Sequence, residues 1–143
     1  MEIDLEKDKK LSILYGYGQS GLINLGNTCY LNTAIQCLSS IKYLTVYFLS
    51  NKYADDLNIN RRENDFVEEY SELIKDLWRR NHRVIPGSFK KIIGEFYQPY
   101  AGVRQQDSIE AFTKIIELLH EGLSYSATMS IPGESKSYSD KIN

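Results

Sequence analysis

Large apolar residues recur at intervals of three and four along most of the chain, which predicts amphipathic helices. Leu31, Ala34, Ile35 and Leu38 set such a stripe and predict a helix over 29–39. Phe66, Val67, Tyr70, Leu73, Ile74, Leu77 and Trp78 predict a second of about four turns. Asn81 to Arg83 interrupts the pattern, and Pro86 then suits a helical first turn, ahead of a face made by Phe89, Ile92, Ile93, Phe96 and Tyr97. A last helix carries Ile109, Phe112, Ile116, Leu119 and Leu123 on one face, with Gly122 near its end. We expect that face to pack against the 29–39 helix, since two amphipathic stripes in a small domain must be buried against something. The segment Ile41 to Leu49 reads as a short helix, although Thr45, Val46 and Tyr47 also fit a strand. Residues 51–61 and 98–102 read as loops. Residues 1–20 have little pattern and read as an extension. Residues 124–143 are rich in Ser with few large apolar groups and read as a flexible tail. The expected class is mainly α, with β content low or absent.

Composition adds limits rather than a function. A chain of 143 residues with 42% hydrophobic and 25% charged residues is an ordinary single-domain composition. A net charge of −2 gives no general attraction to nucleic acid. The two cysteines, Cys29 and Cys37, make neither a disulfide framework nor a Cys-x-x-Cys pair, so no metal or other cofactor is implied. The N-terminal residues alternate acids and bases, unlike a secretory signal, and no apolar run is long enough to span a membrane. The expectation is an intracellular protein, cytoplasmic or nuclear, with reduced thiols.

One stretch carries chemistry. Gly21-Leu22-Ile23-Asn24-Leu25-Gly26-Asn27-Thr28-Cys29-Tyr30-Leu31-Asn32-Thr33-Ala34-Ile35-Gln36 runs a loop into the first helix. Gly26 and Asn27 suit a tight turn, and Thr28 suits the N-cap. Cys29 would then stand in the first turn, where unpaired N–H groups and the helix dipole favour a thiolate. A cysteine is more commonly a small buried hydrophobe, which is the reading we give Cys37, packed beside Leu38 and Ile41. Asn24 could be a turn residue, and Gln105, Gln106 and Asp107 could simply suit the start of the last helix.

The stretch resembles the cysteine box of the ubiquitin-specific proteases, papain-like cysteine deubiquitinases whose pattern runs G-L-x-N-x-G-N-T-C-Y-x-N-S-x-x-Q-x-L. Here it is matched through Gln36 and Leu38, with Thr33 in place of the serine. Gln105-Gln106-Asp107-Ser108-Ile109-Glu110-Ala111-Phe112 resembles the same family's Q-Q-D-A-x-E-F-L box, departing at Ser108, Ala111 and Phe112. The resemblance spans residues 21–123. It implies the helical thumb subdomain of a papain-like fold without the β-rich remainder. It implies a thiol hydrolase of ubiquitin C-terminal (iso)peptide bonds, with ubiquitin or a ubiquitinated protein as partner. It implies Cys29 as the nucleophile and Asn24 as a side-chain donor to the oxyanion. It implies that Gln105, Gln106 and Asp107 bind the extended ubiquitin tail.

In that family the catalytic histidine follows the second box. The only two histidines here, His82 and His120, do not, and both read as structural. Base and orienting group would then come from a downstream segment or a second chain. Three explanations stay open: a piece of a longer deubiquitinase, a short relative completed by another chain, or a non-catalytic module that binds ubiquitin or another partner.

Overall fold

The computed structural model describes residue 14 and residues 16–125. Its elements, in chain order, are β1 (Gly21–Leu22), α1 (Cys29–Ser39), α2 (Lys42–Leu49), α3 (Tyr53–Asp56), α4 (Asn64–Arg79), β2 (Arg83–Val84), α5 (Gly87–Phe96), a 3-10 turn (Gln98–Tyr100) and α6 (Ser108–Leu123). The protein is mainly α, as the periodicity requires. The β content among the described residues is one parallel pair, with Gly21 opposite Arg83 and Leu22 opposite Val84. The 41–49 segment, ambiguous by pattern, is helical. Thr45 turns inward and its hydroxyl donates to the Ser39 carbonyl at 2.7 Å, tying α2 to the end of α1.

The α1 helix packs most extensively on α6, and α6 in turn on α4. Between them lies a core of Leu31, Ala34, Ile35, Leu38, Phe66, Val67, Tyr70, Ile74, Ile115 and Leu119. Phe48, Tyr53, Tyr70, Phe66 and Phe89 extend it as a chain of tilted and edge-on aromatic pairs, the arrangement ring quadrupoles favour. Tyr53 accounts for a feature absent from the sequence reading: the polar 51–61 stretch contains the short α3 because this one ring is buried.

The buried stripe of α6 differs from the expected one. Ala111, Ile115, Leu119 and Gly122 face inward, while Ile109 and Ile116 are 76% and 43% exposed. The helix has apolar residues on two faces, and close approach selected the one with the smaller groups. A Cβ on Gly122 would stand 2.4 Å from Val67 Cγ2 and 2.9 Å from the Glu63 carbonyl oxygen, so α6 crosses α4 at a distance only glycine allows.

Two amides on α1 set the path into the cysteine loop. Asn32 Nδ2 donates to the Ile23 carbonyl at 3.2 Å, and Gln36 Nε2 donates to the Ser20 carbonyl at 3.0 Å. One helical turn apart, they hold residues 20–23 along α1. Residues at the end of the expected 1–20 extension are tied down as well. Gln19 N donates to Asn81 Oδ1, and Ser20 Oγ to the Arg80 carbonyl. Residues 1–13 and 15 of that extension and the tail from residue 126 lie outside the described residues.

Candidate active site

Cys29 is exposed at the first position of α1, and Asn24 is exposed in the loop before it. The loop is organised around one atom. Asn24 Oδ1 accepts from Gly26 N at 2.8 Å, from Thr28 N at 3.3 Å and from Thr28 Oγ1 at 3.3 Å. Two of these donors are backbone N–H groups, so the oxygen must face the loop. The Nδ2 donors are left unspent among the described residues. Gly26 and Asn27 follow with φ of 103° and 54°, consecutive left-handed residues that suit glycine and asparagine.

Thr28 holds the N-cap position without capping. Its hydroxyl accepts from Leu25 N at 2.9 Å and donates to Asn24, so it serves the loop rather than the helix. The amides of Cys29 and Tyr30 therefore meet no protein acceptor among the described residues. The result is a thiol, a side-chain amide and free backbone donors at one exposed edge. Such donors are suited to a charge that develops only during reaction.

The second predicted group stands close by. Asp107 is the N-cap of α6, and its Oδ1 accepts from Ile109 N at 2.7 Å and Glu110 N at 2.9 Å. Gln105 and Gln106 thus precede the helix rather than open it. Gln106 Nε2 donates to the Pro99 carbonyl at 3.0 Å, and Gln105 is exposed with no side-chain partner among the described residues. Two buried rings join this loop to the cysteine helix. Tyr30, next to Cys29, lies 5.2 Å from Tyr100, which lies 4.7 Å from Tyr97. Burial raises the Tyr30 phenol above its ordinary pKa, with Cys29 acting in the same direction. Burial raises Tyr100 more strongly, with Glu110, Tyr97, Tyr30 and Asp107 adding to it.

Neither histidine completes the site. His82 Nδ1 donates to the Arg80 carbonyl at 2.7 Å, and its Nε2 lies 3.4 Å from Asp76 Oδ1, which places the ring at the end of α4. His120 lies in the last turn of α6, about 20 Å along the axis from the end that meets the cysteine loop. Among the described residues no three His, Cys, Asp or Glu side chains gather as a metal site would need, and no helix is long and apolar enough to cross a membrane. Cys37, expected to be packed, is exposed, because α1 turns Leu31, Ala34, Ile35 and Leu38 inward instead; Ile41 is exposed too.

Sequence reasoning placed Asn27 in the turn but missed its side-chain contact, and it missed Lys90. Asn27 Nδ2 donates to the Val103 carbonyl at 2.9 Å. Lys90 Nζ donates to the Tyr100 carbonyl and, at 2.9 Å, to the Gly102 carbonyl. Both hold backbone oxygens, a partner that no side-chain motif advertises.

Comparison with known proteins places the chain in a family. Residues 20–141 match the family model described as ubiquitin carboxyl-terminal hydrolase. The chain is 43% identical over 110 residues to ubiquitin carboxyl-terminal hydrolase 15 of Xenopus tropicalis, covering 74% of this chain and 11% of that protein. It is also 43% identical over 110 residues to ubiquitin carboxyl-terminal hydrolase 4 of Mus musculus, again covering 11% of it. The chain therefore spans about a tenth of the length of the curated relatives it matches. Its fold is similar to a chain of the SAGA Ubp8/Sgf11/Sus1/Sgf73 DUB module bound to ubiquitin aldehyde, with a TM-score of 0.61 at 23% identity, covering 85% of this chain and 31% of that one. On its family match and on the cysteine loop just described, this chain belongs to the ubiquitin carboxyl-terminal hydrolase family.

Proposed function

We propose that residues 21–123 are the thiol-bearing helical part of a deubiquitinase. In this reading the Cys29 sulfur adds to the carbonyl carbon of ubiquitin's terminal glycine. Asn24 Nδ2 and the Cys29 backbone N–H receive the oxyanion. The C–N bond to the target amine breaks as a base returns the proton to the leaving nitrogen, and water then hydrolyses the thioester. Base and orienting group are supplied by a segment outside the described residues or by a second chain. Gln105, Gln106 and Asp107 bind the ubiquitin tail: among the described residues the Gln105 side chain has no partner, and Asp107 keeps Oδ2 after spending Oδ1 on its helix. The exposed Ile109 and Ile116 form the seam where the rest of the domain packs, consistent with a chain that spans 31% of its structural neighbour.

The observation that carries this reading is the orientation of Asn24. Three donors consume its oxygen and leave its nitrogen as the free group, which is the donor an oxyanion requires. The test is release of a fluorophore from the C-terminus of ubiquitin by the full-length protein. We expect turnover that Cys29→Ala abolishes. No turnover by the wild type, with ubiquitin binding retained in Cys29→Ala, would replace this reading with that of a non-catalytic binding module.

A further inference from the structure

The loop that carries Gln105 and Gln106 is held from three sides. On one, Lys90 grips the carbonyls of Tyr100 and Gly102, and Tyr100 is itself buried against Tyr30 and Tyr97. On another, Gln106 bonds back to the Pro99 carbonyl and Asp107 caps α6. These contacts fix the two ends and leave the exposed tip, Val103 to Gln105, without support from its own side. On the third side the tip meets the cysteine loop. Among the described residues one hydrogen bond joins the two loops, from Asn27 Nδ2 to the Val103 carbonyl.

Asn27 suits this task in two independent ways. It occupies the left-handed region at φ 54°, which asparagine tolerates and most residues do not. Its amide then reaches across to a carbonyl two residues before Gln105. Asn27 is also next to Thr28, whose N–H and hydroxyl both go to Asn24. The loop tip is thus tied, through one side chain, to the same turn that orients the oxyanion donor.

We propose that Asn27 is a positioning residue that holds the tail-binding loop in register with the thiol. This rests on the deubiquitinase reading above. Asn27 touches neither the sulfur nor the carbonyl under attack, so its loss alters how the ubiquitin tail is seated rather than the chemistry at Cys29.

The experiment uses the full-length protein and a ubiquitin C-terminal amide substrate. Asn27→Gly keeps the left-handed backbone accessible and removes the amide. The expected result is a rise in KM of about two- to tenfold, the range one lost hydrogen bond allows, with kcat within about twofold and with iodoacetamide alkylation of Cys29 at the wild-type rate. Asn27→Asp replaces the donor with an acceptor facing a carbonyl, and its KM should rise at least as far. Unchanged KM in both variants would overturn the inference, as would a fall in kcat at constant KM. Failure of both variants to fold would also overturn it, since Asn27 would then be holding the fold and not the register. Absence of hydrolysis by the wild-type protein would instead overturn the deubiquitinase reading, so the two failures are distinguishable.

Discussion

Thr28 is bonded twice to Asn24: its backbone N–H and its hydroxyl both lie 3.3 Å from the same carbonyl oxygen. A threonine in the N-cap position thus spends its side chain on the preceding loop, and the first amides of α1 are left without a capping oxygen. The arrangement orients Asn24 at the cost of a cap.

On the deubiquitinase reading proposed above, the structural and chemical contributions of Asn24 are separable. Asn24→Asp keeps the Oδ1 acceptor and replaces the Nδ2 donor. We expect folding close to wild type by circular dichroism and a loss in kcat of about 10²–10³, the range for removal of one oxyanion donor. Asn24→Ala should lose both the turnover and part of the loop's order. Equal activity in Asn24→Asp would remove Asn24 from the mechanism.

Asp107 has the same duality. Asp107→Asn can still cap α6, whereas Asp107→Ala cannot and should cost about 1 kcal/mol of stability. If the carboxylate also engages the basic side chains of the ubiquitin tail, Asp107→Asn raises KM with little change in melting temperature. Should Asp107→Asn match wild type in both, capping is its whole role.

The contact of α6 with α4 predicts that Gly122→Ala is destabilising despite alanine's helix preference. The preference contributes about 1 kcal/mol, while overpacking against Val67 and the Glu63 carbonyl costs about 1–3 kcal/mol. Thermal melting should show a net fall in Tm, and an increase would mean that the helices separate easily.

Tyr70 offers a pH test. Its phenol is buried without a hydrogen-bond partner among the described residues, and burial raises its pKa well above the ordinary 10.0. The folded state therefore favours the neutral phenol. Its contribution to stability is fully present below pH 10 and is lost as pH rises from there through the folded pKa. Stability should fall in that alkaline window. Tyr70→Phe should flatten the fall and be neutral or stabilising by about 1 kcal/mol at neutral pH, since no bond is lost. Urea titrations at pH 8 and pH 11 measure both effects.

Helix positions were legible because each stripe repeats over several turns, and α1 and α4 begin and end close to where their apolar residues do. The choice of face on α6 was not legible. Ile109, Phe112 and Ile116 make as good a stripe as Ala111, Ile115 and Leu119, and only the small size of Ala111 and Gly122 decides between them. The reading of the cysteine box depended on residue order, which a sequence displays. Its fine structure depends on which oxygen accepts which amide. Thr28 was expected to cap its helix because threonine commonly does so, and the competing donor to its hydroxyl oxygen, the Leu25 N–H, becomes visible only once the loop closes. Asn27 and Lys90 were not legible for a related reason, since both bond to main-chain carbonyls brought near by tertiary packing.

The most direct measurement is covalent capture. Full-length protein is mixed with ubiquitin bearing a C-terminal electrophile, and the modified peptide is identified by mass spectrometry. Both thiols are exposed, so each is free to compete. The account predicts a single adduct, on Cys29, formed faster than any labelling of Cys37 and lost in Cys29→Ala. Modification of Cys37 instead, or labelling that persists in Cys29→Ala, would contradict it.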